Sequence, residues 1–181
     1  MAKLLYSATM SLDGFIAGPH GDMSWLGDYI GPNPTVDDLV GNIGALLVGS
    51  RTFRGDDPYK GTEHEGEPFG GAWSGPQFVL THSLPVTEPP PGVTFVDDFD
   101  VAVAAAQAEA GDKYVNVLGA SVARQCLDED VLDEILVCVA PVMLGAGVRL
   151  FDHSGDANIA LEAMSVTQAP LATNLWYRVV R

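Results

Sequence analysis

The sequence predicts an α/β fold of three layers, with helices on both faces of a central mixed, mostly parallel sheet that closes on antiparallel C-terminal strands. Three observations predict it. Over the first two thirds of the chain, short apolar runs of strand length alternate with segments of helical pattern, as parallel β-α units do. Several of those runs stop abruptly at glycine or hydroxyl residues, where a strand gives way to a loop or helix. The last third changes character: Asp133 to Ala140, Ile159 to Val166 and Asn174 to Val180 read as strands with no helix between them, which suits antiparallel neighbours.

At 181 residues, with 47% hydrophobic and 18% charged side chains, the chain has material for one globular domain, expected to span 1–181, and not for two. Nine Lys and Arg against 24 Asp and Glu give a formal charge of −15. A surface so negative repels DNA, RNA and anionic lipid, so no nucleic-acid or membrane partner is expected. No apolar run approaches the roughly 18 residues of a membrane helix. Met1 to Tyr6 leads straight into a strand without a signal-peptide pattern, and a cytoplasmic protein is expected. Cys126 and Cys138 have apolar neighbours, with no Cys-x-x-Cys and no histidine cluster; both read as small buried hydrophobes, and no metal is expected.

Lys3 to Met10 forms the first strand, apolar enough to be central. Behind it runs a glycine-rich loop with a tight turn at Asp13-Gly14 and with Phe15, Ile16, Met23 and Trp25, a candidate lid over a flat ligand or simply a cover for the core. A helix starts near Asn33 or Thr35, with proline and acids in its first turn. Next comes the stretch around which the chain is organised. The run Gly44 to Val48 reads as a buried strand that stops at Gly49, followed by Ser50, Arg51 and Thr52. Glycine lets backbone N–H groups approach a phosphate, the two hydroxyls donate, and the guanidinium supplies a fixed charge in fork geometry. Arg51, Arg54 and Lys60 gather three of the nine cations within ten residues.

From Gly55 to Gly75 the chain turns polar and glycine-rich; Glu63-His64-Glu65 in its middle reads as solvated. Pro76 to Thr81 is a strand that ends at Thr81-His82-Ser83, again in small hydroxyls. Val93 to Val96 is the next, with Asp98 or Asp100 capping a helix that runs to about Ala110 and stops at Gly111. Lys113 to Leu118 is followed by Gly119-Ala120-Ser121, which opens a helix over Val122 to Leu127 and aims its N-terminus at a second anion position. Three such strand ends in one small α/β chain point to a dinucleotide at the carboxyl edge of the sheet.

Together these residues resemble the dihydrofolate reductase-like superfamily, and within it the reductase domain at the C-terminus of bacterial riboflavin-biosynthesis RibD proteins and its stand-alone relatives. The marks are Ser11-Leu12-Asp13-Gly14-x-Ile16-Ala17, Val48-Gly49-Ser50-x-Thr52 followed by Asp56-Asp57-Pro58, the glycine before Ala123-Arg124-Gln125, and Asp133-Glu134-Ile135 through Ala140-Pro141-Val142-x-Leu144-Gly145-x-Gly147. Their order covers essentially the whole chain.

The resemblance implies a dihydrofolate reductase-like fold and an NADPH-dependent reductase. It implies that Gly49, Ser50, Arg51 and Thr52 hold the adenosine phosphates, that Thr81, His82 and Ser83 lie near the 2′-phosphate and adenine, and that Leu118, Gly119, Ala120, Ser121 and Val122 face the diphosphate. Ile16 and Ala17 would hold the nicotinamide carboxamide by backbone. Phe15, Trp25, Asp56 and Asp57 would border the substrate, a small, flat, pterin- or pyrimidine-like molecule reduced at C=N or C=O. Asp13 is the candidate catalytic acid by position, with a role in bonding loop N–H groups as its alternative; a water is a further proton source.

Two departures stand out. Riboflavin-pathway reductases usually carry lysine where this chain has Phe15, and family members usually show Gly-Gly where this chain has Gly119 between Leu118 and Ala120. A non-catalytic nucleotide- or drug-binding module on the same fold is the rival expectation. Leu175-Trp176-Tyr177 suggests an exposed apolar edge that a second copy covers, so a homodimer is expected.

Overall fold

The computed structural model describes residues 1–152 and 158–181. In chain order the elements are β1 (Leu4–Ser11), β2 (Phe15–Ala17), α1 (Pro34–Gly41), β3 (Ile43–Gly49), α2 (Ser50–Phe53), β4 (Gln77–Leu80), β5 (Val93–Val96) and α3 (Phe99–Ala110). They continue with β6 (Tyr114–Leu118), α4 (Ala120–Asp128), β7 (Leu132–Ala140), β8 (Val148–Arg149), β9 (Leu161–Ala169) and β10 (Ala172–Val179). Eight strands form one sheet in the order β5-β4-β3-β6-β1-β7-β10-β9, and β2 pairs with β8 in a small second sheet.

The first six strands of that order run parallel, so all six carboxyl ends lie along one edge; β10 and β9 return antiparallel beside β7. Alternation along the strands sends side chains to two cores. Leu4, Tyr6, Ala45, Leu47, Val115 and Val117 meet Ala102, Val103 and Ala106 of α3 and Val122, Ala123 and Cys126 of α4 on one face. Leu5, Leu46, Val48, Val79, Leu136 and Cys138 meet Leu39 of α1 and Trp73 on the other. This is the three-layer arrangement that the strand and helix pattern predicts.

Local chemistry fixes the element ends. Asp98 caps α3 by accepting from the Val101 amide at 2.9 Å. At its other end α3 lies directly on β3, because a Cβ at Gly44 would stand only 2.5 Å from the Ala110 carbonyl oxygen. Cys126 and Cys138 are buried, and burial pushes their thiols up to about 12 and about 11, which keeps both protonated and unreactive.

Some features depart from expectation. The β2–β8 pairing and the one-turn helix α2 are not visible in the residue pattern. Of the closing pair, β9 lies two to three residues C-terminal of expectation and β10 one to two residues N-terminal, with the turn at Pro170-Leu171. Leu175, Trp176 and Tyr177 are half-buried on β10, between β7 and β9, so the edge of the sheet is β9 and not this tripeptide.

Polar groups gather at the amino end of the parallel strands. Glu134, 1% exposed, accepts from Lys3 Nζ at 2.8 Å, Tyr114 Oη at 3.0 Å and Trp176 Nε1 at 2.8 Å. Burial first, and then the Glu134 charge, push the Tyr114 hydroxyl up to about 12, so it stays a donor.

Candidate active site

The carboxyl ends of β4, β3, β6 and β1 are consecutive along one edge, and they carry Thr81, Gly49, Gly119 and Ser11-Asp13 respectively. Three candidate anion positions far apart in sequence thus become neighbours, because the carboxyl ends of parallel strands lie on the same side.

Gly49 and Gly119 are packed into each other's surroundings. A Cβ on Gly49 would lie 3.1 Å from Val122 Cγ2, while one on Gly119 would collide with the Thr52 hydroxyl. Gly119 also has φ +105°, a backbone conformation open to glycine and strained for other residues. Ala120 has no such φ and begins α4, so this turn needs glycine at Gly119 alone. The result brings the Thr52 hydroxyl against the start of α4, with Ser50 and Arg51 on the same short helix.

Arg51 is exposed at this edge, and Arg54 Nη2 donates to Thr81 Oγ1 at 3.4 Å. Thr81 is buried and shares its hydroxyl with the backbone of Ser83, whereas His82 and Ser83 are exposed. Arg54 stood in the sequence only as part of a local cluster of cations; the structure makes it the arginine that bridges the β3 and β4 ends.

Asp13 does something different from its neighbours. Its Oδ1 accepts from Ser11 Oγ at 2.6 Å and from the Leu144 amide at 3.0 Å, and its Oδ2 from the Gly145 amide at 2.7 Å. Leu12 N donates to Val142 O at 2.7 Å in the same seam. The Ser11 hydroxyl, aided by the Leu144 and Gly145 amides, holds the Asp13 carboxyl below its usual value near 3.8, at about 2. The carboxylate therefore clamps the loop after β1 to the loop after β7. Where those loops cross, Gly147 has φ +139° and a Cβ there would collide with the Ala17 carbonyl.

The lid residues separate into two places. Phe15, 7% exposed, is paired with Arg149 across the β2–β8 sheet, and the guanidinium carbon lies 4.8 Å from the ring centroid. Ile16 and Ala17 follow on β2. Trp25 sits in a 3-10 turn beside Tyr29, with centroids 6.0 Å apart, and its Nε1 is shielded and lacks a partner among the described residues. Asp56 joins this turn to the next loop: it accepts from the Met23 amide at 3.1 Å and from Lys60 Nζ at 3.3 Å, and both lower its pKa. Asp57 folds its own loop by accepting from Tyr59 N at 2.8 Å and from Gly66 N.

Arg149 is the residue that sequence reasoning missed. Only its pairing with Phe15, 134 positions away, reveals it. Among the described residues, five of the nine cations are in carboxylate pairs; Arg51, Arg54, Arg149 and Lys113 are not, and Lys113 donates instead to the Gly41 carbonyl at 2.9 Å at the amino end of the strands. The three arginines lie at the carboxyl edge. A cleft of about 220 Å³ lined by Leu127, Leu132, Ile159 and Val179 lies at the opposite edge, away from these groups. The glycine approach, the hydroxyls and the cations fit a phosphate-bearing cofactor, and no ring of metal-ligating side chains occurs among the described residues.

Comparison with known proteins gives the same picture. A family model described as the RibD C-terminal domain matches residues 2–172. An uncharacterized protein of Bacillus subtilis, YwjB, is 29% identical over 178 residues, covering 96% of this chain and 95% of that one. Among solved structures, a putative riboflavin biosynthesis protein from Shewanella sp. PV-4 superposes with a TM-score of 0.75 at 25% identity, over 100% of both chains. A dihydrofolate reductase from Enterococcus faecalis, solved with NADP(H), superposes at 0.63 and 17% identity, over 99% of this chain and 97% of its own. The yeast riboflavin biosynthesis reductase Rib7 gives 0.64 at 19% identity, over 99% of this chain and 90% of its own. With the family match running almost end to end, the chain belongs to the RibD C-terminal domain family and has the dihydrofolate reductase-like fold.

Proposed function

We propose that this protein is an NADPH-dependent reductase acting on a small, flat, pterin- or pyrimidine-like substrate at a C=N or C=O group. The observation that carries the proposal is the run of Thr81, Gly49-Thr52 and Gly119 along adjacent strand ends, with two arginines not paired to carboxylates among the described residues, in a chain of charge −15. In this reading Gly49, Ser50, Arg51 and Thr52 hold the adenosine phosphates, with the Arg51 guanidinium on the 2′-phosphate and Arg54, Thr81, His82 and Ser83 near it and the adenine. Leu118, Gly119, Ala120, Ser121 and Val122 offer backbone and hydroxyl donors to the diphosphate. Ile16 and Ala17 fix the carboxamide end.

The chemistry supplied by the bound cofactor is hydride donation from its nicotinamide. The chain's part is orientation and exclusion of water. Asp13 acts as a positioning residue: a carboxyl held at about 2 is ionised at neutral pH, and its oxygens are already engaged by Ser11, Leu144 and Gly145. The proton then comes from water. Asp56 fixes the Trp25 turn next to the substrate, and Arg149, on Phe15, offers the cation that lysine supplies in riboflavin-pathway relatives.

Titration with NADPH, followed by thermal shift and tryptophan fluorescence, tests the cofactor, and loss of reduced-nicotinamide absorbance over a panel of pterins and pyrimidines tests the reaction. Binding with turnover is expected. Binding without turnover over the whole panel would favour the rival, a non-catalytic nucleotide- or drug-binding module; no binding at millimolar NADPH would exclude both.

A further inference from the structure

Strand β1 is paired on both sides only along its first half. With β6 it pairs from Leu4–Val115 as far as Tyr6–Val117, whereas with β7 it continues to Ser11–Ala140. Beyond Tyr6 the β6 side of β1 therefore has no ladder partner, and a cleft opens between the two strands at the carboxyl edge, where open α/β sheets take their ligands. Ser7 and Thr9 stand at this opening. Their neighbours on β7 are Leu136 and Cys138, which belong to the core under α1, so both side chains are on the α1 side of the sheet. Both residues are half-buried, and neither hydroxyl has a hydrogen-bond partner or is sealed from solvent among the described residues. Ser11 differs: its hydroxyl donates to Asp13 and accepts from the Phe15 amide. The wall facing them is neutral. Asn33, where α1 begins, exchanges amide bonds with Asn174 at 2.8 and 3.0 Å, and Asn174 also donates to Thr167 at 3.1 Å. The acids of α1, Asp37 and Asp38, are exposed. Glu134, toward the amino end, is taken up by Lys3, Tyr114 and Trp176, and Asp13 by Ser11 and the loop amides.

We propose that Ser7 and Thr9 are specificity-determining residues, whose hydroxyls take the edge of a ring that carries neutral carbonyl and N–H groups. The inference rests on the reductase reading above and narrows its substrate: the edge that enters the cleft is a lactam or imide and not a basic amidine. A hydroxyl donates to a ring carbonyl and accepts from a ring N–H, so such an edge leaves no group unsatisfied and supplies the partners that Ser7 and Thr9 lack. A basic amidine edge binds as its protonated form against a carboxylate. Here it would face hydroxyls and the Asn33–Asn174 amides, and a cation would be buried without a counter-charge. A site built to hydrogen-bond its substrate rejects a ring that leaves those groups unpaired more strongly than an apolar pocket rejects a ring of the wrong size.

Lumazine, a pteridine with two ring carbonyls, and diaminopteridine, the same ring with two amino groups, differ at this edge and hardly in shape. Titrating each by calorimetry at neutral pH, with and without NADPH, tests the assignment. Lumazine should bind at least about 10-fold more tightly than diaminopteridine, the cost of leaving a buried polar group unpaired. Thr9→Val should weaken lumazine by roughly 5- to 10-fold and leave diaminopteridine and NADPH unchanged, with an unaltered far-UV spectrum; Ser7→Ala makes the same test if that variant fails to fold. A merely structural role would not separate the two rings. Equal or tighter binding of diaminopteridine would overturn the proposal, and so would a lumazine affinity that neither variant changes. Either result with NADPH still bound leaves the reductase reading standing. No binding of NADPH at millimolar concentration would sink that reading instead, and the comparison of the two rings without cofactor would still decide the edge.

Discussion

The two ends of the parallel sheet treat their polar groups in opposite ways. At the amino end Glu134 is almost completely buried and takes hydrogen bonds from Lys3, Tyr114 and Trp176, so donors and acceptor satisfy one another. At the carboxyl end Arg51 and Arg54 lie beside Ser50, Thr52 and Thr81 without a carboxylate among the described residues, on turns that need glycine at Gly119. A closed network contributes to stability and asks for no ligand. Cations gathered without counter-charge in an acidic chain leave an anion to be supplied from outside. The difference separates residues that hold the fold from those proposed to hold a ligand.

The largest effect expected is at the closed end. Glu134→Ala strands three donors, two of them on half-buried rings, and should cost about 3 kcal/mol. For a chain of this size that is a fall in Tm of roughly 6–12 °C, while NADPH affinity of the folded fraction stays at the wild-type value. Chemical denaturation and cofactor titration on the same preparation check both parts. A loss of affinity would break the distinction between the ends.

Gly119→Ala is the reverse test. Strain at φ +105° and the collision with Thr52 should cost roughly 2 kcal/mol. Here NADPH affinity should fall as well, by about 10-fold or more, since the turn is displaced from the phosphate position. A variant that loses stability but keeps its affinity would show this turn to be structural.

Arg51→Ala should leave stability within about 0.5 kcal/mol, as for an exposed side chain, but weaken NADPH by roughly 10- to 100-fold, the range of a charge-assisted bond. NADH should be affected much less, because the lost partner is the 2′-phosphate. Equal losses for both cofactors, measured by calorimetry, would remove Arg51 from that role.

The smallest effect concerns pH. A folded-state carboxyl pKa lowered to about 2 stabilises the protein fully above the unfolded value near 3.8 and loses that contribution as pH falls through about 2. The Asp13 clamp should therefore be intact throughout the neutral range. Turnover should show no limb between pH 5 and 8 (about one unit beyond any ordinary carboxyl value) that Asp13→Asn removes. A limb that vanishes in the variant would make Asp13 the proton donor after all.

The sheet was legible because its strands are buried on both faces: Ile43 to Gly49 and Leu132 to Ala140 announce themselves as apolar runs bounded by glycine or proline. The place of the candidate phosphate-side residues at the carboxyl edge was legible for the same reason, since each follows a strand end directly. What could not be read were partners distant in sequence. Asp13 meets Leu144 and Gly145 more than a hundred residues on, and Arg149 reaches Phe15 through a two-strand sheet whose strands are too short to carry a pattern. Position left Asp13 with two roles, an acid's or a bonding partner for loop N–H groups, and the loop bonds it makes are to Leu144 and Gly145. The apolar tripeptide of β10 pointed to an exposed edge that β9 occupies instead, because hydropathy does not say which of two adjacent strands is outermost.

Backbone hydrogen exchange with and without NADPH tests the contrast between the two ends most directly. The account predicts slower exchange at amides of Gly49 to Arg54, Thr81 to Ser83 and Gly119 to Val122, with those around Lys3, Tyr114 and Glu134 unchanged. Protection confined to the Glu134 end, or none at the strand carboxyl ends under saturating cofactor, would contradict it.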